Sequence, residues 1–191
     1  MILGMKYFSN FIGEEEERNL ICEIDRNEWC TDLKRRTQHY GYKYDYTKKK
    51  IDESMYVGLI PAWMASYGTR MVGLGIFHKK PDQVIINEYM PGQGISRHVD
   101  CIDCFGDAVA SLSLGSTCAM EFEHIKSSKK GSTILGPRSL LVLADEARYE
   151  WMHAIPARLE DPFGEEVLKR SRRISLTFRT VKHEGQISVV Y

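Results

Sequence analysis

The apolar positions of this chain change their spacing near residue 82. Before it, Leu20, Ile21 and Ile24 recur at helical intervals behind the acidic run Glu14 to Glu17. Carboxylates gather where a helix N-terminus is electropositive, so residues 13–27 read as an amphipathic helix. Residues 37–46 alternate rings with polar groups (His39-Tyr40-Gly41-Tyr42-Lys43-Tyr44-Asp45-Tyr46), which predicts a strand or hairpin with one face of rings. Residues 48–54 read as a polar loop, and 59–75, with Pro61 and Trp63, as holding one short helix. From residue 82 onward short runs follow one another: Val84-Ile85-Ile86 leading into Asn87-Glu88-Tyr89, then Ser111-Leu112-Ser113-Leu114 and Ser139-Leu140-Leu141-Val142-Leu143. Turn signals such as Pro91-Gly92-Gln93-Gly94, Gly115-Ser116 and Gly136-Pro137 separate them. Helices first and short strands afterwards predict an α+β fold in which N-terminal helices pack on an antiparallel β-sandwich or jelly roll.

Residues 173–179 alternate strictly, with Ile174, Leu176 and Phe178 on one face and Arg173, Ser175, Thr177 and Arg179 on the other. The apolar face belongs to the core. If the polar face lines an open barrel, two guanidiniums there are expensive unless they meet anions. Their Cα atoms, about 20 Å apart at ~3.3 Å per residue, would let two long side chains bracket a small dicarboxylate. A solvated basic face on an edge strand fits the isolated segment equally well.

At 191 residues the chain suffices for one domain with a buried core, and 43% hydrophobic with 27% charged residues excludes disorder. Lys and Arg (26) balance Asp and Glu (26), so a polyanion site must come from local clusters such as Arg35-Arg36, Lys48-Lys49-Lys50, Lys129-Lys130 and Lys169 to Arg173. Five cysteines, an odd number, favour reduced thiols in a cytoplasmic setting with no disulfide framework. Gly4, Lys6 and Asn10 interrupt the apolar N-terminus, so no membrane span is expected there.

The candidate chemistry starts at His98-Val99-Asp100, where residues two apart on an extended segment present an imidazole and a carboxylate to one side. With one more histidine such a pair makes the 2-His-1-carboxylate triad that holds Fe(II) and leaves positions open for substrate and O₂. The third ligand stands among His39, His78, His124, His153 and His183; His153 lies in a mostly apolar, aromatic run, whereas His124 and His183 neighbour lysines.

Asn87-Glu88-Tyr89, His98-Val99-Asp100, His153 and Arg173 through Arg179 together resemble, in type and order, the pattern of the AlkB family of Fe(II)- and 2-oxoglutarate-dependent dioxygenases. The similarity extends over residues 30–180, through Arg35-Arg36, His39-Tyr40-Gly41-Tyr42, Tyr89 to Ile95, Ser111 to Ser116 and Arg138 to Val142, and looks most like the members that hydroxylate the wobble uridine of tRNA. The resemblance implies a double-stranded β-helix (jelly roll) with packed N-terminal helices and a substrate lid. It implies that His98, Asp100 and His153 bind iron, that Asn87, Tyr89 and Arg173 hold the distal carboxylate of 2-oxoglutarate, and that Arg179, with Ser175 nearby, meets the chelating end. The implied reaction couples decarboxylation of 2-oxoglutarate to succinate and CO₂ with hydroxylation of a C–H bond, which releases formaldehyde where the carbon is an N-methyl.

On this reading 1–191 is a single domain, with a helical and lid region over about 1–80 and a jelly-roll core over about 82–181. The expected substrate is a modified nucleoside in nucleic acid, namely tRNA, with alkylated bases or a protein as alternatives. A catalytically silent interaction module with the same fold is the alternative of a different class. The family's base-demethylating members often carry an acidic residue where this chain has Ile102, which cannot accept from an exocyclic amine. The chain is expected to act as a monomer, with a separate methyltransferase or RNA-binding partner. Cys101 and Cys104 read as loop thiols, and Tyr40 to Lys50 as a segment able to stack bases and contact phosphates.

Overall fold

The computed structural model describes residues 2–44 and 50–182. In chain order its elements are β1 (Met5–Phe8), α1 (Glu14–Asp25), β2 (Thr37–Tyr42), β3 (Tyr56–Gly58), α2 (Ala62–Gly73), β4 (Gln83–Tyr89), β5 (Ile95–His98), β6 (Phe105–Gly115), β7 (Cys118–His124), β8 (Lys130–Leu135), β9 (Leu140–Leu143), α3 (Asp145–Tyr149), β10 (Trp151–Ile155), β11 (Glu160–Phe163), β12 (Glu166–Lys169) and β13 (Arg173–Val181). No helix among the described residues is long and apolar enough to cross a membrane.

The strands form a jelly roll of two antiparallel sheets. The large sheet runs β1-β9-β6-β13-β4-β2-β3, the small one β5-β10-β7-β8, and β11 pairs with β12 in a separate hairpin. β13 lies between β6 and β4, each pairing along most of its length, so its alternation decides what both faces carry. Its apolar set, Ile174, Leu176 and Phe178, joins Val84, Ile86, Leu112 and Leu114 on the outer face. There α1 contributes Leu20 and Ile24 and α2 contributes Met64 and Met71. Arg173, Ser175 and Thr177 are buried on the opposite face, toward the small sheet. Between the sheets Tyr89, Met120, Phe122, Leu135, Leu141 and Ile155 form a second core.

α1 begins where its sequence says it should. The Gly13 N–H donates to the Glu16 carboxylate, satisfying one of the free donors of the first turn. Glu17 accepts from the Gly115 N–H and from Arg138, which pins the helix start to the end of β6. At its far end Arg172 spans Asp25 and Glu88, and Arg36 donates twice to the same Glu88, tying α1 to β4.

Some details differ from the sequence reading. β1 pairs with β9 at the edge of the large sheet, where the apolar N-terminal pieces had suggested no element. The region 59–75 holds a full 12-residue helix, with Met64, Gly68 and Met71 buried. Cys101 and Cys104, expected as separate thiols, are joined as a disulfide, because the turn after β5 brings their Cα atoms to 5.3 Å. The expected base-stacking segment Tyr40 to Lys50 falls partly outside the described residues, since 45–49 are not among them, and His183 lies outside them as well.

Candidate active site

Two chain segments carry the metal-type donors. β5 and β10 pair antiparallel with His98 directly opposite His153, which brings the imidazole centroids to 4.4 Å. Asp100 follows two residues beyond the end of β5, and its Oδ2 lies 3.6 Å from His153 Nε2. One ligand atom from each of His98, Asp100 and His153 can be chosen so that all lie within 4.8 Å of one another, the spacing a bound ion needs. His98 Nδ1 lies 2.8 Å from the Ser96 carbonyl, which orients the ring so that Nε2 is the free donor. Of the other histidines, His39 and His124 lie elsewhere: His39 faces Thr37, and His124 faces Glu150 and Ser127.

Protonation suits a cation. Burial alone would push the Asp100 carboxyl up, but Arg179, then His153 and His98, outweigh it and hold the group below the usual carboxylate range. Burial pushes His153 down to about 4 against the opposing pull of Asp100. At neutral pH the site therefore offers an ionised carboxylate and an uncharged His153 imidazole, the forms that bind metal.

Two arginines of β13, Arg173 and Arg179, lie six residues apart on the face turned toward the small sheet. Arg179 Nη2 donates to Asp100 Oδ1, its Nη1 donates to Gln83, and the guanidinium stacks on Phe105. Arg173, 3% exposed, donates from Nη2 to Ser113 and lies over the Tyr89 ring. Its Nε and Nη1 are buried and meet no hydrogen-bond partner among the described residues. Unmet donors on a buried guanidinium cost free energy unless an anion takes them, so a carboxylate fits here. Asn87, Ser175 and Ser113 form one cross-strand row beside it, so Ser175 lies one same-face row from Arg173 and two from Arg179. A shallow cleft lined by Tyr89, Met90, Gln93, Ser116, Arg170 and Arg173 opens at this end.

Sequence reasoning missed several contributors. Arg35 Nε donates to Asn87 Oδ1, a contact that engages the amide oxygen and none of the Asn87 amide hydrogens. Ser113 holds Arg173, and Gln83 holds Arg179. Ser113 and Gln83 were visible as polar members of otherwise apolar strands. Arg35 stood out only as half of the basic pair Arg35-Arg36, which did not point to Asn87, its partner 52 residues away.

Residues 4–179 match the 2OG-Fe(II) oxygenase superfamily. The chain is 35% identical to uncharacterized protein L905 of Acanthamoeba polyphaga mimivirus over 95% of this chain and 86% of that one. It is 35% identical to the tRNA (carboxymethyluridine(34)-5-O)-methyltransferase alkbh8 of Xenopus tropicalis, over 94% of this chain but only 32% of that protein. Among solved structures, OsALKBH1 superposes with a TM-score of 0.73 at 15% identity, covering 93% of this chain and 96% of that one.

Proposed function

The chain belongs to the 2OG-Fe(II) oxygenase superfamily, and from that premise we propose that it oxidises a modified uridine in tRNA. It is a dioxygenase whose cofactors are Fe(II) and 2-oxoglutarate. When bound, these activate O₂, with 2-oxoglutarate leaving as succinate and CO₂ and one oxygen atom passing to a substrate C–H.

In our reading His98, Asp100 and His153 hold the iron, and the carboxylate–imidazole set within 4.8 Å supports this. Arg173 takes the distal carboxylate of 2-oxoglutarate through Nε and Nη1, assisted by Asn87 and Tyr89; the unpartnered donors of Arg173 support that role. Arg179 lies beside the chelating end through its contact with Asp100, and Ser175 lines the floor between the two arginines. Single-domain organisation over 1–191 and action as a monomer belong to the same proposal.

The observation that carries the substrate class is the match over 94% of this chain to a relative named for carboxymethyluridine at position 34 of tRNA. Ile102, 43% exposed two residues after Asp100, offers no acceptor for the exocyclic amine of adenine or cytosine, which favours uridine. The chain spans 32% of that relative, and work with a separate methyltransferase or RNA-binding partner is part of the proposal. The test incubates the protein with Fe(II) and 2-oxoglutarate without oxygen, admits O₂ with bulk tRNA, and compares nucleosides by mass spectrometry against His98→Ala. Gain of one oxygen on a modified uridine is expected. Loss of a methyl from adenine or cytosine would replace the uridine reading, and succinate formation with unchanged tRNA would end the tRNA reading.

A further inference from the structure

We propose that Arg148 is a positioning residue for the metal centre, its guanidinium holding the segment 100–106 so that the Asp100 carboxylate meets His98 and His153. The need for such a residue follows from where the ladder stops. The pairing of β5 with β10 sets His98 against His153, and His98 is the last residue of β5. Asp100 lies beyond that ladder; Arg179 meets its carboxylate from β13 and Lys182 holds the carbonyls of Ile102 and Cys104, which leaves the Asp100 main chain to be held by a contact of its own.

Arg148 is 2% exposed and is the largest of the fully buried side chains. Its Nη1 donates to the Asp100 carbonyl (2.9 Å), Nη2 to the carbonyls of Cys101 (3.1 Å) and Phe105 (3.4 Å), and Nε to that of Gly106 (3.3 Å). All four partners are main-chain oxygens of one short segment, and no ion pair of Arg148 is found among the described residues. A buried cation is costly, and a plain packing role is met more cheaply by an aliphatic side chain. What a guanidinium alone supplies is a rigid fork able to bind several carbonyls at fixed angles.

The residue's own address completes the argument. Arg148 sits in α3, five positions before His153 in β10, so it joins the segment bearing Asp100 to the segment bearing His153. The Cys101–Cys104 disulfide closes the same turn on itself, but it does not anchor that turn to α3. The nearby Tyr149 hydroxyl donates to Asp107, anchoring α3 to β6 without touching Asp100.

This inference rests on Asp100 being a metal ligand, and the experiment separates the two. Mn(II) serves as the probe, titrated into the metal-free protein and into Arg148→Lys, Arg148→Met, Tyr149→Phe and Asp100→Ala, with thermal midpoints measured in parallel. Both Arg148 variants are expected to bind Mn(II) at least tenfold more weakly, while Tyr149→Phe stays within twofold. In turnover the Fe(II) requirement of Arg148→Lys should rise with the KM for 2-oxoglutarate unchanged, because the Arg173 end is untouched. Wild-type affinity in Arg148→Lys would overturn the proposal, since charge alone would then suffice. Equal weakening in Tyr149→Phe would also overturn it, since any loosening of α3 would then do the same. Unchanged Mn(II) binding by Asp100→Ala would overturn the ligand assignment itself. If the Arg148 variants do not fold, exchange of the Arg148 guanidinium hydrogens in the unsubstituted metal-free protein decides: slow exchange supports the anchor, and exchange as fast as in free arginine overturns it.

Discussion

Arg173 concentrates the chemistry of the large sheet in one side chain, because a buried guanidinium with two unmet donors attracts a carboxylate more than it stabilises the empty protein. Replacing it with Met should raise the KM for 2-oxoglutarate at least tenfold, given roughly 1.5–3 kcal/mol for each hydrogen bond to a charged group. The free protein should lose little stability, and thermal melts with and without 2-oxoglutarate would separate these effects. Two histidines set a pH response. Burial lowers both His39 and His153 to about 4 from an ordinary 6.5. Between those values the unfolded chain takes up protons that the folded chain refuses, so stability falls as pH drops from about 6.5 toward 4. Asp100, whose folded carboxyl is lowered, adds stability above its unfolded value and loses it only at still lower pH. Urea midpoints should therefore decline between pH 7 and pH 5, and an unchanged midpoint would show that neither imidazole is held uncharged.

Among the elements, β5 depends on a glycine that no turn rule alone explains. A Cβ at Gly94 would sit 2.1 Å from the Ile155 carbonyl oxygen, so Gly94→Ala must push β5 away from β10. We expect a loss of about 1–3 kcal/mol in stability, together with weaker Mn(II) binding as His98 leaves its place opposite His153. The link between α1 and β4 is similarly specific: Glu88 is 3% exposed and serves both Arg36 and Arg172. Glu88→Ala should cost roughly 2 kcal/mol in chemical denaturation, less than a fully buried pair because both arginines reach solvent. Elements with a strong internal period were legible before any coordinates. α1, β4, β6, β9 and β13 fall within or across the segments their patterns marked, and the polar face of β13 does line the interior. β1, β11 and β12 were not, because strands of four residues at an edge or in a hairpin carry too little pattern to stand out.

For the whole molecule, the small sheet carries the two histidines and the large sheet the two arginines, and ligands should report on the union of the two sheets. Mn(II) and 2-oxoglutarate together should raise the thermal midpoint beyond either alone, since a ligand at a hundred times its Kd adds about 2.7 kcal/mol. Arg173→Met should abolish the 2-oxoglutarate increment and keep the metal increment. The residues the proposal assigns to the site stood out in the sequence because their spacing is local: His98 and Asp100 are two apart, and Arg173 and Arg179 share one strand. The supports were not readable, because they are long-range contacts, Arg35 to Asn87 across 52 residues and Arg173 to Ser113 across 60. Arg148 stood among the charged residues Asp145, Glu146 and Glu150, where only the folded chain reveals its four carbonyls. The shared use of β13 also constrains how the gene can change. Its successive side chains serve opposite faces, so deleting or adding a single codon between Arg173 and Arg179 would keep one guanidinium facing inward and turn the other outward toward α1 and α2, with apolar side chains facing inward in its place. Point substitutions here can be graded in effect, whereas one-codon length changes are all or nothing. Natural variation in length should accordingly collect in turns such as 125–129 and leave β13 untouched.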